Sequence, residues 1–213
     1  MTDLEAKIIH FLKVEMANNS DASHDLGHLT RVAQNCKKIQ KSEGGNIEIL
    51  IISSYFHDII SLPKNSPDRH RSSEFAAQKT INILDKNFQE IPSNYYEPIA
   101  DAIRSHSYSA NIYPKTLEAK ILQDADRLDA LGAVGLARVF YIAGRLNQKL
   151  FDDNDPFAKN RLLNDKEYAL DHFYHKLFKL PDTLQTNKGK ELAKEKVAIL
   201  NNFIENLKKE LFN

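Results

Sequence analysis

The sequence predicts an all-α protein, and three observations carry that prediction. Glycine is scarce, at 7 of 213 residues, and turn dipeptides are sparse. Apolar residues recur every three to four positions through most of the chain. The Gly44-Gly45 pair followed by Asn46 reads as one helix stopping and the next starting.

The elements follow in order. Thr2 and Glu5 have capping-box spacing, and Leu4, Ile8, Phe11 and Leu12 form the apolar face of a first helix ending near Met16. After a polar loop, a second helix is expected from Asp25 or His28 to Glu43, with Leu29, Val32, Cys36 and Ile39 on one face. The third, Ile47 to Ile60, is apolar on nearly all sides and belongs at the centre of a bundle. A loop holding Pro63 and Pro67 leads to a fourth helix over 68–86. A fifth opens at Pro92–Asn94 and reaches His106, a sixth covers 116–131, and a seventh covers 134–146. Residues 147–164 read as loop. Two more helices are expected over 165–180 and 188–211, the last covering the bundle or forming a dimer seam.

Composition narrows the function classes. Lys plus Arg is 29 and Asp plus Glu is 29, giving no net charge. Proteins that wrap duplex nucleic acid carry a basic excess, so that class is disfavoured, while a small phosphorylated ligand needs only a few local cations. One cysteine, Cys36, builds neither a disulfide framework nor a thiolate metal cage. The first helix carries charges through its apolar positions, unlike a signal peptide, and no apolar run approaches the roughly 18 residues of a membrane span. A cytoplasmic protein is expected.

The chemistry lies in polar residues set into helices that otherwise pack a core. His57-Asp58 ends the most apolar helix, and His28 sits in the second. Asp124, Asp126 and Asp129 fall within six positions between apolar neighbours. Buried charges are costly without partners. Two imidazoles and two carboxylates form a mixed nitrogen–oxygen set that suits Mn²⁺, Fe²⁺, Zn²⁺ or Co²⁺ better than Mg²⁺. Asp124 and Asp126 point to different helix faces, so one of them belongs to such a set.

His28, then His57-Asp58, then Asp126 resembles the H…HD…D signature of HD-domain metal-dependent phosphohydrolases. "GHLTRV", "YFHDI" and "DADRLDALGA" are similar to that family's ligand segments, and "PKNSPDRHRSSEFAA" resembles a phosphate-handling stretch of small bacterial members that act on nucleotides. The resemblance covers about residues 20–150 and implies a single HD-type helical domain over 1–213, with a C-terminal helical extension at 151–213. It implies His28, His57, Asp58 and Asp126 as metal ligands, Asp126 being chosen because it directly precedes Arg127. The implied cofactor is a divalent cation, Mn²⁺ first, with Mg²⁺, Fe²⁺, Co²⁺, Zn²⁺ or Ni²⁺ as alternatives.

The implied reaction is attack of a metal-activated water on phosphorus. A nucleoside triphosphate pyrophosphohydrolase is the preferred reading. A monophosphatase, an alarmone or cyclic-nucleotide hydrolase, and a non-catalytic metal-containing binding module are the alternatives. Arg31, Lys64, Arg69, Arg71 and His106 are the candidate substrate contacts, since Arg grips two phosphate oxygens at once. Alarmone-hydrolysing and nucleotidase relatives place a Glu three residues after the central Asp, where this chain has Ser61. Acid–base work then falls to Asp58 itself or to His24, His70, Glu74 or Asp129. His24 and His28 have the spacing of two ligands on one helix turn, but Asp25 stands where a zinc-protease helix needs Glu. No membrane partner is expected, and a homodimer is compatible with the pattern.

Overall fold

Asn46 starts the central helix by accepting hydrogen bonds from the Glu48 and Ile49 amides at 2.9 and 3.3 Å. Gly44 and Gly45 reach it with φ of 84° and 92°, a region that favours glycine. A computed structural model describes residues 3–15, 26–62 and 66–212. The helices are α1 (Asp3–Glu15), α2 (Leu26–Glu43), α3 (Ile47–Phe56), α4 (Ser72–Asn87), α5 (Tyr96–His106), α6 (Leu117–Asp129), α7 (Gly132–Arg145), α8 (Asp171–His175) and α9 (Asn187–Phe212). Short 3₁₀ turns lie at Arg69–Arg71, Ser93–Tyr95 and Leu177–Thr183. Among the described residues there is no β-strand, only an isolated bridge between Lys149 and Tyr168. The protein is all-α.

The chain forms two compact units. The first runs to Asp126 and takes in Gln185–Lys188. The second is Arg127–Leu184 with the chain from Gly189. In the first, α3 packs against α1, α2, α4 and α5, and every residue from Ile49 to Phe56 is buried. The buried serines Ser53 and Ser54 return their hydroxyls to the carbonyls of Ile49 and Ile51, at 2.6 and 2.9 Å, so the helix stays apolar outward. Phe11, Phe56 and Phe88 meet edge to face at 5.6–6.2 Å between ring centres. Glu5 of α1 is buried all the same. Lys37 donates to both its oxygens at 2.8 and 2.7 Å, and the Tyr55 hydroxyl donates at 3.1 Å.

In the second unit, Phe140, Phe173 and Phe203 cluster at 5.6–6.1 Å between ring centres, and Leu170, Leu177 and Leu200 are buried. Gly132 opens α7 at φ 73°, and a Cβ at Gly135 would collide with the Ala130 carbonyl. Arg161 grips Asp171 through two bonds of 2.6 and 2.7 Å and lies 4.5 Å over the Tyr168 ring, which orders the long loop.

Three boundaries differ from the sequence expectation. The central helix stops at Phe56 rather than Ile60, because His57 caps it and Ile59 donates back only three residues, to Phe56, at 3.0 Å. Over 165–180 there is a one-turn helix and then 3₁₀ structure, since Pro181 cannot donate within a regular helix and Asp165 and Asp171 are engaged in loop contacts. The helix expected from Asp68 begins as a 3₁₀ turn and becomes α-helical at Ser72. Among the described residues no helix is long and apolar enough to cross a membrane.

Candidate metal centre

Three elements bring polar side chains to one point. His28 stands in the first turn of α2, 2% exposed. His57 and Asp58 follow the last turn of α3, and His57 is fully buried. Asp126 comes from α6. The Nε2 atoms of His28 and His57 lie 3.2 Å apart. Asp58 Oδ2 is 3.5 Å from the first and 3.3 Å from the second, and Asp126 Oδ1 is 3.6 and 3.8 Å from them. His106, at the end of α5, places its Nε2 3.5 Å from the other Asp58 oxygen.

The backbone decides which ring nitrogen faces the cluster. His57 Nδ1 donates to the Ser54 carbonyl at 2.8 Å, and His106 Nδ1 donates to the Ile103 carbonyl at 2.6 Å. In the neutral ring Nε2 is then a bare lone pair. Lone pairs of imidazole and carboxylate crowd together, an arrangement that needs a cation or extra protons to persist. A cation about 2.1–2.3 Å from each ligand puts neighbouring ligand atoms about 3.0–3.8 Å apart, which is the spacing found. His28, His57 and Asp58 therefore fit a divalent metal with mixed nitrogen and oxygen ligands, and Asp126 flanks both imidazoles.

The electrostatics agree. Burial on its own pushes the Asp58 carboxyl up, but the charge of His57 and the hydrogen bonds of His106, His28 and His57 outweigh it and hold it well below the usual carboxylate range. Burial on its own lowers His106, and the hydrogen bond and charge of Asp58, with Asp126 behind it, raise it above its ordinary value. Cys36 of α2 is fully buried. Burial, then the charges of Asp126 and Asp124, push its thiol up, so it fills space as a neutral group.

The other sequence candidates are placed as follows. Asp124 is fully buried and accepts from the Gln185 amide at 2.8 Å, the Thr186 amide at 2.8 Å and the Thr186 hydroxyl at 2.7 Å. It caps the segment that leads into α9, while Asp126 joins the histidines. Asp129 lies in the second unit, where it accepts from Arg138 at 2.9 Å. Arg69, His70 and Arg71 share one exposed turn. Arg69 donates to the Leu62 carbonyl and, at 3.2 Å, to Ser61 Oγ, so it braces the loop after the His57–Asp58 pair. Arg71 stacks 4.8 Å over Phe75 and faces Asp68 at 3.7 Å. Glu74 meets Arg104 Nε at 3.2 Å. Arg31 is half-buried, one turn after His28. His24 and Lys64 lie outside the described residues.

Sequence reasoning missed the two carbonyl locks on His57 and His106. The signal was present, since both histidines end apolar helices, where a side-chain donor has free carbonyls to meet. It also missed the capping role of Asp124, whose partners lie some 60 residues away in the chain.

Comparison with known proteins agrees with this geometry. Residues 25–131 match the HD domain family. A Listeria innocua protein of known structure is 36% identical, with a TM-score of 0.70 over 99% of this chain and 98% of that one. An HD-superfamily hydrolase from Bacillus thuringiensis is 29% identical, with a TM-score of 0.75 over 97% of this chain and 95% of that one. YpgQ of Bacillus subtilis is 29% identical over 193 residues, 91% of this chain and 87% of its own length. The crystal structure of YpgQ in complex with ADP superposes with a TM-score of 0.72 over 97% of this chain and 94% of that one.

Proposed function

The chain belongs to the HD-domain family of metal-dependent phosphohydrolases, and from that membership we propose that it hydrolyses a nucleoside triphosphate to the monophosphate and pyrophosphate. The observation that carries the reading is the convergence of His28, His57, Asp58 and Asp126, with imidazole nitrogens and carboxylate oxygens 3.2–3.8 Å apart. The ADP held by YpgQ favours a nucleotide over other phosphorylated ligands.

His28, His57, Asp58 and Asp126 hold the cation, and Mn²⁺ is the ion we assign to them. What such an ion supplies is a more acidic water and positive charge against phosphoryl oxygens. The chain's own groups do the rest. The Ser54 carbonyl takes the Nδ1 proton of His57, so that in the neutral ring Nε2 is the lone pair turned to the cluster. Asp58 divides its two oxygens between the paired imidazoles and His106. His106, whose Nε2 lies 3.5 Å from Asp58, is the neighbouring imidazole available to contact a phosphoryl oxygen. Arg31, Lys64, Arg69 and Arg71 bind the remaining phosphate charge. A cytoplasmic location suits such a substrate.

A panel of nucleoside triphosphates, monophosphates and phosphodiesters, assayed with Mn²⁺, Mg²⁺ and Co²⁺ and with the products identified, tests the proposal. Pyrophosphate release from a triphosphate is the expected result. Orthophosphate release alone assigns a different scissile bond. No turnover on any substrate, by protein that binds metal, points instead to a ligand-binding module.

A further inference from the structure

The last carbonyls of a helix lack intrahelical donors, and at the end of α5 three consecutive ones are taken by side chains. Ile103 O accepts from His106 Nδ1 at 2.6 Å, Arg104 O from Ser73 Oγ of α4 at 2.9 Å, and Ser105 O from Gln123 Nε2 of α6 at 2.7 Å. Ser73 and Gln123 are each 2% exposed. The Ser105 carbonyl belongs to the peptide that leads into His106, so the bond from Gln123 fixes the plane from which the His106 ring departs. That ring then lies 4.7 Å from the His57 ring, centre to centre, with Nε2 3.5 Å from Asp58.

Gln123 is an expensive way to hold a helix end. Its Oε1 is buried and has no hydrogen-bond partner among the described residues. A buried acceptor left unpaired opposes stability, and an apolar side chain of the same length avoids that penalty. Only the donor half of the amide is used, and it is used one residue before His106.

We propose that Gln123 is a positioning residue, which holds the Ser105–His106 peptide so that His106 Nε2 meets Asp58 at the mouth of the metal cluster. The activity arm of its test rests on the phosphohydrolase reading above. The spectroscopic arm does not.

The experiment uses the full-length protein and the Gln123→Met variant, each alone and combined with His106→Ala. The first readout is the ring-nitrogen NMR signals of His106, identified by their loss in His106→Ala, with diamagnetic Mg²⁺ present. The second is kcat and KM on the best nucleoside triphosphate with Mn²⁺, alongside the melting temperature. In Gln123→Met the melting temperature holds near wild type, the His106 ring signals shift and broaden, and kcat/KM falls about tenfold, as for a group misplaced by a fraction of an ångström. In the His106→Ala background the same substitution costs nothing further, because the two residues act as one unit. Unchanged ring signals, or losses that simply multiply, overturn the proposal. Should Gln123→Met fail to fold, Gln123→Asn, which is polar but too short to reach Ser105, decides by the same readouts. A wild-type protein inactive on every phosphorylated substrate sinks the functional reading, while the ring signals still decide the positioning role.

Discussion

His57 and His106 meet edge to face, ring centres 4.7 Å apart and planes at 81°, and each arrives there by the same local device. Each ends a helix, and each donates Nδ1 to the carbonyl three residues back, at 2.8 and 2.6 Å. Two helix ends thus aim two Nε2 atoms at one carboxylate, Asp58, from opposite oxygens.

Because Asp58 serves both rings, Asp58→Ala is expected to remove bound metal and activity together. Metal analysis of the purified variant should show the ion near background. Hydrolysis should fall by more than about 100-fold, beyond the loss typical of residues that only orient a ligand. Wild-type turnover in this variant contradicts the assignment.

Chelation gives an independent check without a substrate. An ion bound only by the folded chain adds about 2.7 kcal/mol at about 100 times its dissociation constant. Stripping the protein with a chelator should lower its melting temperature by several degrees, and adding back Mn²⁺ should restore it. Equal melting curves with and without the ion count against the donor set.

Tyr55 supplies a pH signature that involves none of the clustered histidines. Burial, followed by the charge of Glu5 and the bond to it, raises its hydroxyl to about 12. The folded state therefore holds that proton more tightly than the unfolded state, whose pKa is about 10. The resulting stability is complete below about pH 10 and is lost as pH rises toward 12, up to about 3 kcal/mol in all. Denaturant titrations of wild type and Tyr55→Phe at rising pH should converge across that window, and parallel curves would show that the shift is absent.

Asp124→Ala should destabilise without touching the histidines. It removes the acceptor for two amides and a hydroxyl at 2.7–2.8 Å. Bonds to a charged acceptor are worth about 1.5–3 kcal/mol each, and the bared donors are left buried. A loss above about 2 kcal/mol in urea denaturation is expected, and one below about 0.5 kcal/mol means that the segment finds other acceptors.

Much of this was legible in the sequence where periodicity or capping carries the information. Asn46 caps α3 as its position after two glycines suggests, and the apolar run from Ile49 to Phe56 is indeed interior. The grouping of His28, His57, Asp58 and Asp126 was anticipated from residue types and a family resemblance, since no local pattern ties α2 to α6. What stayed hidden depends on tertiary partners. The end of α3 at Phe56 is set by the His57 cap, and the broken helix over 165–180 follows from loop contacts such as Arg161 with Asp171. Gln123 gave no signal, because a lone glutamine on a buried helix face looks like any other until Ser105 is seen beside it.

The match to the HD domain itself covers residues 25–131, yet Asp124 finds its partners at Gln185 and Thr186, and Glu43 takes the Lys188 amide at 2.7 Å. A fragment trimmed to the matching stretch would expose a naked carboxylate two residues from Asp126, with nothing to quench it. The first unit is therefore closed by a four-residue plug, Gln185–Lys188, that falls in the sequence between the two chain segments of the second.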